Sequence, residues 1–293
     1  MKLPLCSTVV AGALAACILA LALAGCSSST NSGGDTPGTN GKDGAAMVWV
    51  PAGAFLMGST TLLMGSPDEV PQRTVTLKGY WIYKYDVTVA QYRAFCKATG
   101  RALPDFPTVY SWAGKSGWDD PALQQHPIVN VGWFDAQDYA AWAGVHLPTE
   151  AQWEKAARGT DGRNYPWGGL GKFADGSFDG WDPSKCVNSF NSVSQGISTW
   201  PVGSFPTGAS PYGAMDMAGE VWQWCADWYG PYDATAVIDP IGATPGGNLV
   251  LRGGSWYDYG NYGCGRCALR NYNGAGAKEY NIGFRCVSTS PGP

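Results

Sequence analysis

Apolar and polar positions alternate with two periods along this chain, and each period places elements. Met47-Val48-Trp49-Val50 and Ala54-Phe55-Leu56-Met57-Gly58 are short β-branched and aromatic runs around Pro51-Ala52-Gly53, which predicts a strand pair. Thr74-Val75-Thr76-Leu77 and Tyr80-Trp81-Ile82-Tyr83 predict a second pair turning at Lys78-Gly79. The period then lengthens. Val89, Tyr92, Phe95 and Cys96 share one helical face behind a Thr88/Gln91 capping-box spacing, and Gly100 stops that helix. A second helix is expected over about Phe134 to Ala143, with Tyr139 and Trp142 inward and Gly144 as its stop. A third follows Thr149, with Gln152 completing another capping box, Trp153, Ala156 and Ala157 inward, and Gly159 at its end. Glu150 and Glu154, one helical turn apart, read as solvated or capping residues. Residues 163–211 are rich in Gly, Ser and Pro. Strands are expected again near Glu220–Trp224, Leu249–Arg252 and Phe284–Val287. The sum is a loop-rich α+β fold with short strands and a few helices.

Composition supports that reading. The chain has 293 residues, 45% hydrophobic and 14% charged, with Gly 41, Pro 20, Trp 14 and Tyr 15. Aromatic side chains fill a core between Gly- and Pro-marked turns. Net charge is −4 and there is no basic run, which speaks against nucleic-acid binding.

The first residues carry a different pattern. Lys2 is followed by a nearly unbroken apolar stretch from Val9 to Leu23 and then by Leu23-Ala24-Gly25-Cys26. That stretch is short for a spanning helix, and small residues follow it, which predicts a cleaved leader over 1–25. Leu-Ala-Gly-Cys resembles a bacterial lipobox. The resemblance implies that Cys26 is lipidated, and Ser27 beside it resembles outer-membrane sorting. Residues 26–46 have no large apolar side chain before Met47 and read as a flexible tether. The expected arrangement is a lipid-anchored, surface-exposed outer-membrane protein, monomeric, whose folded domain is 47–293. Six cysteines remain after the leader and anchor: Cys96, Cys186, Cys225, Cys264, Cys267 and Cys286. Many disulfide pairings are open to them.

Eight short tags run in order through the domain. They are Trp49-Val50-Pro51-Ala52-Gly53 with Phe55–Gly58; Tyr85-Asp86-Val87-Thr88 before Gln91-Tyr92; and Pro127–Trp133. Leu147-Pro148-Thr149-Glu150 before Trp153-Glu154 follows, then Tyr165-Pro166-Trp167-Gly168 and Asp216–Trp224. Arg252-Gly253-Gly254-Ser255-Trp256 and Gly283-Phe284-Arg285 close the series. Together they resemble the family of formylglycine-generating enzymes and sulfatase-modifying factors. The resemblance covers nearly everything after residue 47 and implies one domain with an elaborated C-type-lectin fold. It also implies a choice of function, since the family holds copper-dependent oxidases that convert a sulfatase cysteine to formylglycine. One branch comprises the variable proteins of diversity-generating retroelements, among them a treponeme surface lipoprotein that displays a mutable patch near the C-terminus.

The candidate chemistry lies between the last two tags, over about 252–286. Tyr257, Asp258, Tyr259, Asn261, Tyr262, Asn271, Tyr272 and Asn273 combine stiff aromatic area with adaptable polar contacts, the composition of a binding surface. All are reachable from an Asn codon by adenine substitution. The expected function is therefore non-catalytic binding of a protein or glycan on another cell or surface through this patch. The alternative is the copper-dependent oxidase. For it, Cys267 resembles the second active-site cysteine, but the position five residues earlier is Tyr262, and Cys264 stands closer in its place. Two thiolates would hold Cu(I). Calcium is the other cofactor that the resemblance implies, through Asp216 with Gly219, Val221 and Gln223, although Gln223 is neutral where an acid is expected. His126 and His146 are the only histidines and lie on different segments, which excludes a histidine-rich metal site.

Overall fold

The computed structural model describes residues 38–60, 67–108, 112, 114–170, 180–192, 198–243, 245–258 and 265–290. The chain divides into two units, Met1–Ser32 and Gly33–Pro293. The leader and Cys26 lie outside the described residues, as do Tyr259, Asn261, Tyr262 and Cys264.

Eleven short strands and three helices are described in the second unit. In chain order they are β1 (Gly38–Thr39), β2 (Ala46–Val50), β3 (Gly53–Met57), β4 (Arg73–Leu77), β5 (Tyr80–Tyr83), α1 (Val89–Thr99), α2 (Trp133–Ala143) and α3 (Glu150–Arg158). Then come β6 (Trp222–Trp228), β7 (Val237–Ile238), β8 (Leu249–Arg252), β9 (Arg270–Asn273), β10 (Ile282–Gly283) and β11 (Val287–Ser288). They form three small sheets, ordered β1-β2-β5-β11, β10-β6-β8-β9 and β3-β4-β7. This is a loop-rich α+β architecture.

All three helices end as their sequences predict. Thr88 accepts from the Gln91 backbone N–H at 3.3 Å and donates its own N–H to Gln91 Oε1 at 2.9 Å. Thr149 and Gln152 repeat the exchange at 3.2 and 2.9 Å. Gly100 and Gly144 close α1 and α2 in left-handed backbone, which glycine adopts without a Cβ penalty. The inward face of α1 and α2 builds an aromatic core in which the Tyr139 ring lies 5.9 Å from Tyr92, 5.5 Å from Phe95 and 5.3 Å from Phe284.

The expected strand pairings are corrected. β2 pairs not with β3 but with β5, Trp49 facing Trp81, and β3 pairs with β4, Gly53 facing Leu77. The chain leaves one sheet for another at Pro51-Ala52, and Lys78-Gly79 makes the return beside it. Two contacts hold that double crossing. Lys155 Nζ donates to the carbonyls of Pro51 and Gly53 at 2.7 and 2.8 Å. Gly79 lets the Trp49 ring in, because a Cβ there would come within 2.4 Å of it.

Packed structure also begins earlier than Met47. β1 pairs with β2, and Asn40 is fully buried, donating to Tyr83 Oη at 2.5 Å and to the Ala143 carbonyl at 3.1 Å. Asp43 Oδ2 accepts from Tyr83 and Tyr139 at 2.7 and 2.6 Å. A segment without large apolar side chains is thus held chiefly by buried hydrogen bonds, with Ala45 its small contribution to the core. Asn40→Ala is expected to destabilise the protein by about 1–3 kcal/mol, since it leaves buried partners unsatisfied. Urea denaturation measures this, and an unchanged midpoint would show the segment to be a free tether.

Candidate functional site

β8 ends in Arg252, and the positive φ angles of Gly253 and Gly254 (102° and 78°) turn the chain sharply into Ser255-Trp256. Arg252 is completely buried. Its guanidinium donates to the carbonyls of Cys267 at 3.0 Å and Ala268 at 2.8 Å, to that of Leu269, and to Glu154. It also lies over the Trp153 ring, 5.3 Å from the centroid. Two more arginines follow. Arg266 pairs with Glu69 through bonds of 2.6 and 2.5 Å, and Arg270 with Glu150 through bonds of 2.6 and 2.9 Å. Arg158 adds a 3.2 Å contact to Glu154. Burial alone would raise the Glu150 carboxyl, but Arg270 and Arg252 outweigh it and hold that group below the usual carboxylate range. Glu150 and Glu154 are therefore neither solvated nor caps. They anchor the C-terminal tract from α3, a role that i,i+4 spacing does not reveal.

The residues expected to bind divide between two places. Tyr257 is about a third exposed and packs edge-on against Trp256 and Tyr280, with centroids 5.7 and 6.1 Å away. Asp258 turns back onto its own loop, accepting from the Ser255 N–H and Oγ at 2.7 and 2.8 Å. Asn271 and Tyr272 are exposed on β9, where the Tyr272 ring lies 4.3 Å from that of Tyr229. Asn271 and Asn273 accept from the backbone N–H of the next residue at 2.8 and 2.9 Å.

The described thiol of the copper alternative lies deep in the domain. Cys267 is fully buried, and burial pushes its thiol up to about 12. Its backbone is held at both ends, N–H to the Asn164 carbonyl at 2.7 Å and carbonyl to Arg252. Cys96, Cys225 and Cys286 are likewise buried free thiols. Among the described residues there is no group of three or more His, Cys, Asp or Glu that could hold a metal ion.

The loop expected to bind calcium is organised around an arginine. Gln223 Oε1 accepts from Trp153 Nε1 at 2.6 Å and Arg285 Nε at 2.7 Å, while its Nε2 donates to the Asp216 carbonyl at 2.8 Å. Arg285 also donates to the carbonyls of Met215 and Asp216 at 2.8 and 3.1 Å, and to Asp86 at 3.3 Å. Asp216 is capped by the Gly203 N–H at 2.8 Å. Gly219 donates its N–H to the Gly253 carbonyl at 2.9 Å, and Val221 is buried in the aromatic core. A guanidinium supplies positive charge beside Asp216 and Gln223 in this loop.

Three small sheets and three helices, α3 tied to the C-terminal tract by buried arginines, define a loop-rich domain of the elaborated C-type-lectin type. Residues 34–290 match the sulfatase-modifying factor enzyme 1-like domain, and the chain belongs to that family. It is 35% identical to the formylglycine-generating enzyme of Streptomyces coelicolor over an alignment of 298 positions, covering 86% of this chain and 92% of that enzyme. Among solved structures it is similar to PvdO from Pseudomonas aeruginosa (28% identity, TM-score 0.66, 86% of this chain and 97% of that one). It is also similar to Treponema denticola variable protein 1 (21% identity, TM-score 0.64, 87% and 99%), a likeness of fold alone. The breadth of the match to named enzymes overturns the expectation of a non-catalytic protein. The description as a non-catalytic ligand-binding protein of the diversified kind falls with it.

Two outcomes follow from this geometry. Glu154→Gln is expected to cost about 3–5 kcal/mol, because it leaves Arg252 and Arg158 as buried cations short of an anion. Tyr272→Ala should cost about 1 kcal/mol or less. Paired thermal melts compare them, and equal losses would refute the ionic frame. The second outcome concerns pH. Burial raises three carboxyls from an ordinary value of 3.8, Asp86 to about 8, Asp227 to about 7 and Asp216 to about 6. The folded protein keeps protons that the unfolded chain releases above about pH 4. Stability from these groups is complete below that point and falls as pH climbs through about 6 to 8. Asp86→Asn should flatten the decline. Unfolding free energies measured between about pH 5 and 8 that rise instead would contradict the assignment.

Proposed function

We propose that the chain is a catalytic member of its family, oxidising a cysteine side chain of a polypeptide substrate to formylglycine. The observation that carries this is the 35% identity to a formylglycine-generating enzyme across 92% of that enzyme's length. In balance, the substrate's CH2–SH group becomes an aldehyde and its sulfur leaves as hydrogen sulfide. Water supplies the aldehyde oxygen, and two electrons and two protons pass to dioxygen. The ionic frame fits such work because it holds segment 265–270 and β8 rigid beneath the exposed Tyr257 and Tyr272. Copper is the cofactor that the resemblance implies. Cys267 is the described thiol that would take part in holding it, and no step is routed through the metal. The proposal places the reaction outside the cytoplasm on the strength of the apolar leader and Cys26. Diversification of the tract is not part of it.

The test is turnover. Purified chain, metal-free and copper-loaded, is incubated in air with a peptide carrying a sulfatase-type cysteine, and aldehyde is captured with a hydrazide. Aldehyde above the copper-only control is the expected result. If no arm yields aldehyde while a formylglycine-generating enzyme converts the same peptide, the catalytic reading is wrong.

A further inference from the structure

Two arginines close on one tyrosine beside β9. Arg270 Cζ lies 4.0 Å from the Tyr232 ring centroid, and Arg73 Cζ, from the start of β4, lies 4.4 Å from it. Their charges are treated differently. Arg270 is neutralised by the bidentate Glu150. Arg73 forms no ion pair among the described residues. Its Nη2 reaches Met57 Sδ at 3.9 Å, a weak acceptor, and its buried Nε has no acceptor. Both arginines line a cavity of about 440 Å³, walled in part by Trp228 and Val237. Its rim carries Ile238 and Ile241, 77% and 83% exposed.

The acids of this cavity are already engaged. Asp239 accepts from the Lys78 N–H at 2.9 Å and lies 3.5 Å from Lys78 Nζ. Asp233 accepts from the Thr235 N–H and Oγ1 at 2.8 and 2.6 Å. Glu150 is held by Arg270. What remains is a guanidinium in no ion pair among the described residues, felt by Asp233 only as a nearby charge, seated on an aromatic ring and facing a concave wall with an apolar rim. A guanidinium fork matches a carboxylate in two parallel hydrogen bonds, and a ligand's hydrocarbon would remove two exposed isoleucines from water.

We infer that this cavity binds an apolar carboxylate, its two oxygens on Arg73 and its hydrocarbon against Ile238 and Ile241. The C-terminal residue of a peptide and a free fatty acid share that chemistry. The inference does not depend on the catalytic reading, since its test measures binding and no turnover.

Calorimetric titration of the full chain uses three probes: octanoate, an N-acetylated tetrapeptide ending in leucine, and the same tetrapeptide as its C-terminal amide. Carboxylate probes are expected to bind roughly tenfold or more tightly than the amide. Arg73→Gln should remove that advantage, with circular dichroism showing the fold kept, and Ile238→Ser should weaken every probe. A tighter peptide acid identifies a polypeptide C-terminus as the ligand, and tighter octanoate a fatty acid. Equal binding of acid and amide, no binding at all, or an acid affinity unchanged in Arg73→Gln would overturn the inference.

Discussion

The C-terminal part of this fold depends on the burial of Arg252. Residues 267–269 form no strand, and their carbonyls would be left without partners inside the domain. One guanidinium takes all three and closes its charge on Glu154 of α3. Removing two charges from water is costly, and that cost is recovered only when geometry and remaining hydrogen bonds are complete. The shape of the tract and the position of α3 are thereby set together. Arg266–Glu69 and Arg270–Glu150 repeat the arrangement on either side, so a tract with little regular structure is held by ions rather than by a sheet.

These ions explain which parts of the sequence were legible. The tags that resemble the family contain some of the buried charges: Glu150 and Glu154 follow Leu-Pro-Thr, Arg252 opens Arg-Gly-Gly-Ser-Trp, and Arg285 ends Gly-Phe-Arg, whereas Glu69, Arg266 and Arg270 lie outside them. The tags could be matched without knowing that their charges were buried. Helices were legible because capping boxes and terminal glycines are local. Strand partners were not. Nothing local to 47–58 or 74–83 shows that two adjacent runs enter different sheets, and the crossing depends on Lys155 and on the Trp49 ring over Gly79, both remote in sequence. The early start of the packed domain was hidden for a related reason. Asn40 and Asp43 contribute hydrogen bonds, and an apolar pattern cannot register them.

The binding reading failed on a similar ambiguity. Asn, Asp and Gly adapt to a ligand, but they adapt equally to their own backbone. Asp258 caps Ser255, and Asn271 and Asn273 accept from the next N–H. Their enrichment describes a chain that turns often. Tyr257 and Tyr272 are the described aromatics of the set that remain in reach of solvent. Composition alone cannot separate a paratope from a loop whose polar side chains are spent internally.

A second centre shows how far internal charge has been balanced. Asp86 and Asp216 lie near Arg285, Glu220 lies near both acids, and burial raises all three carboxyls. Asp86 Oδ2 has no hydrogen-bond partner and Asp216 is capped by a single backbone N–H, an arrangement suited to protonated or half-ionised acids. Arg285 instead spends its donors chiefly on carbonyls and on Gln223. An acid at position 223 would add a fourth carboxylate and call for a further cation. The neutral amide satisfies Trp153, Arg285 and the Asp216 carbonyl with no net charge. Gln223 thus lets the loop close around a guanidinium without adding a charge of its own.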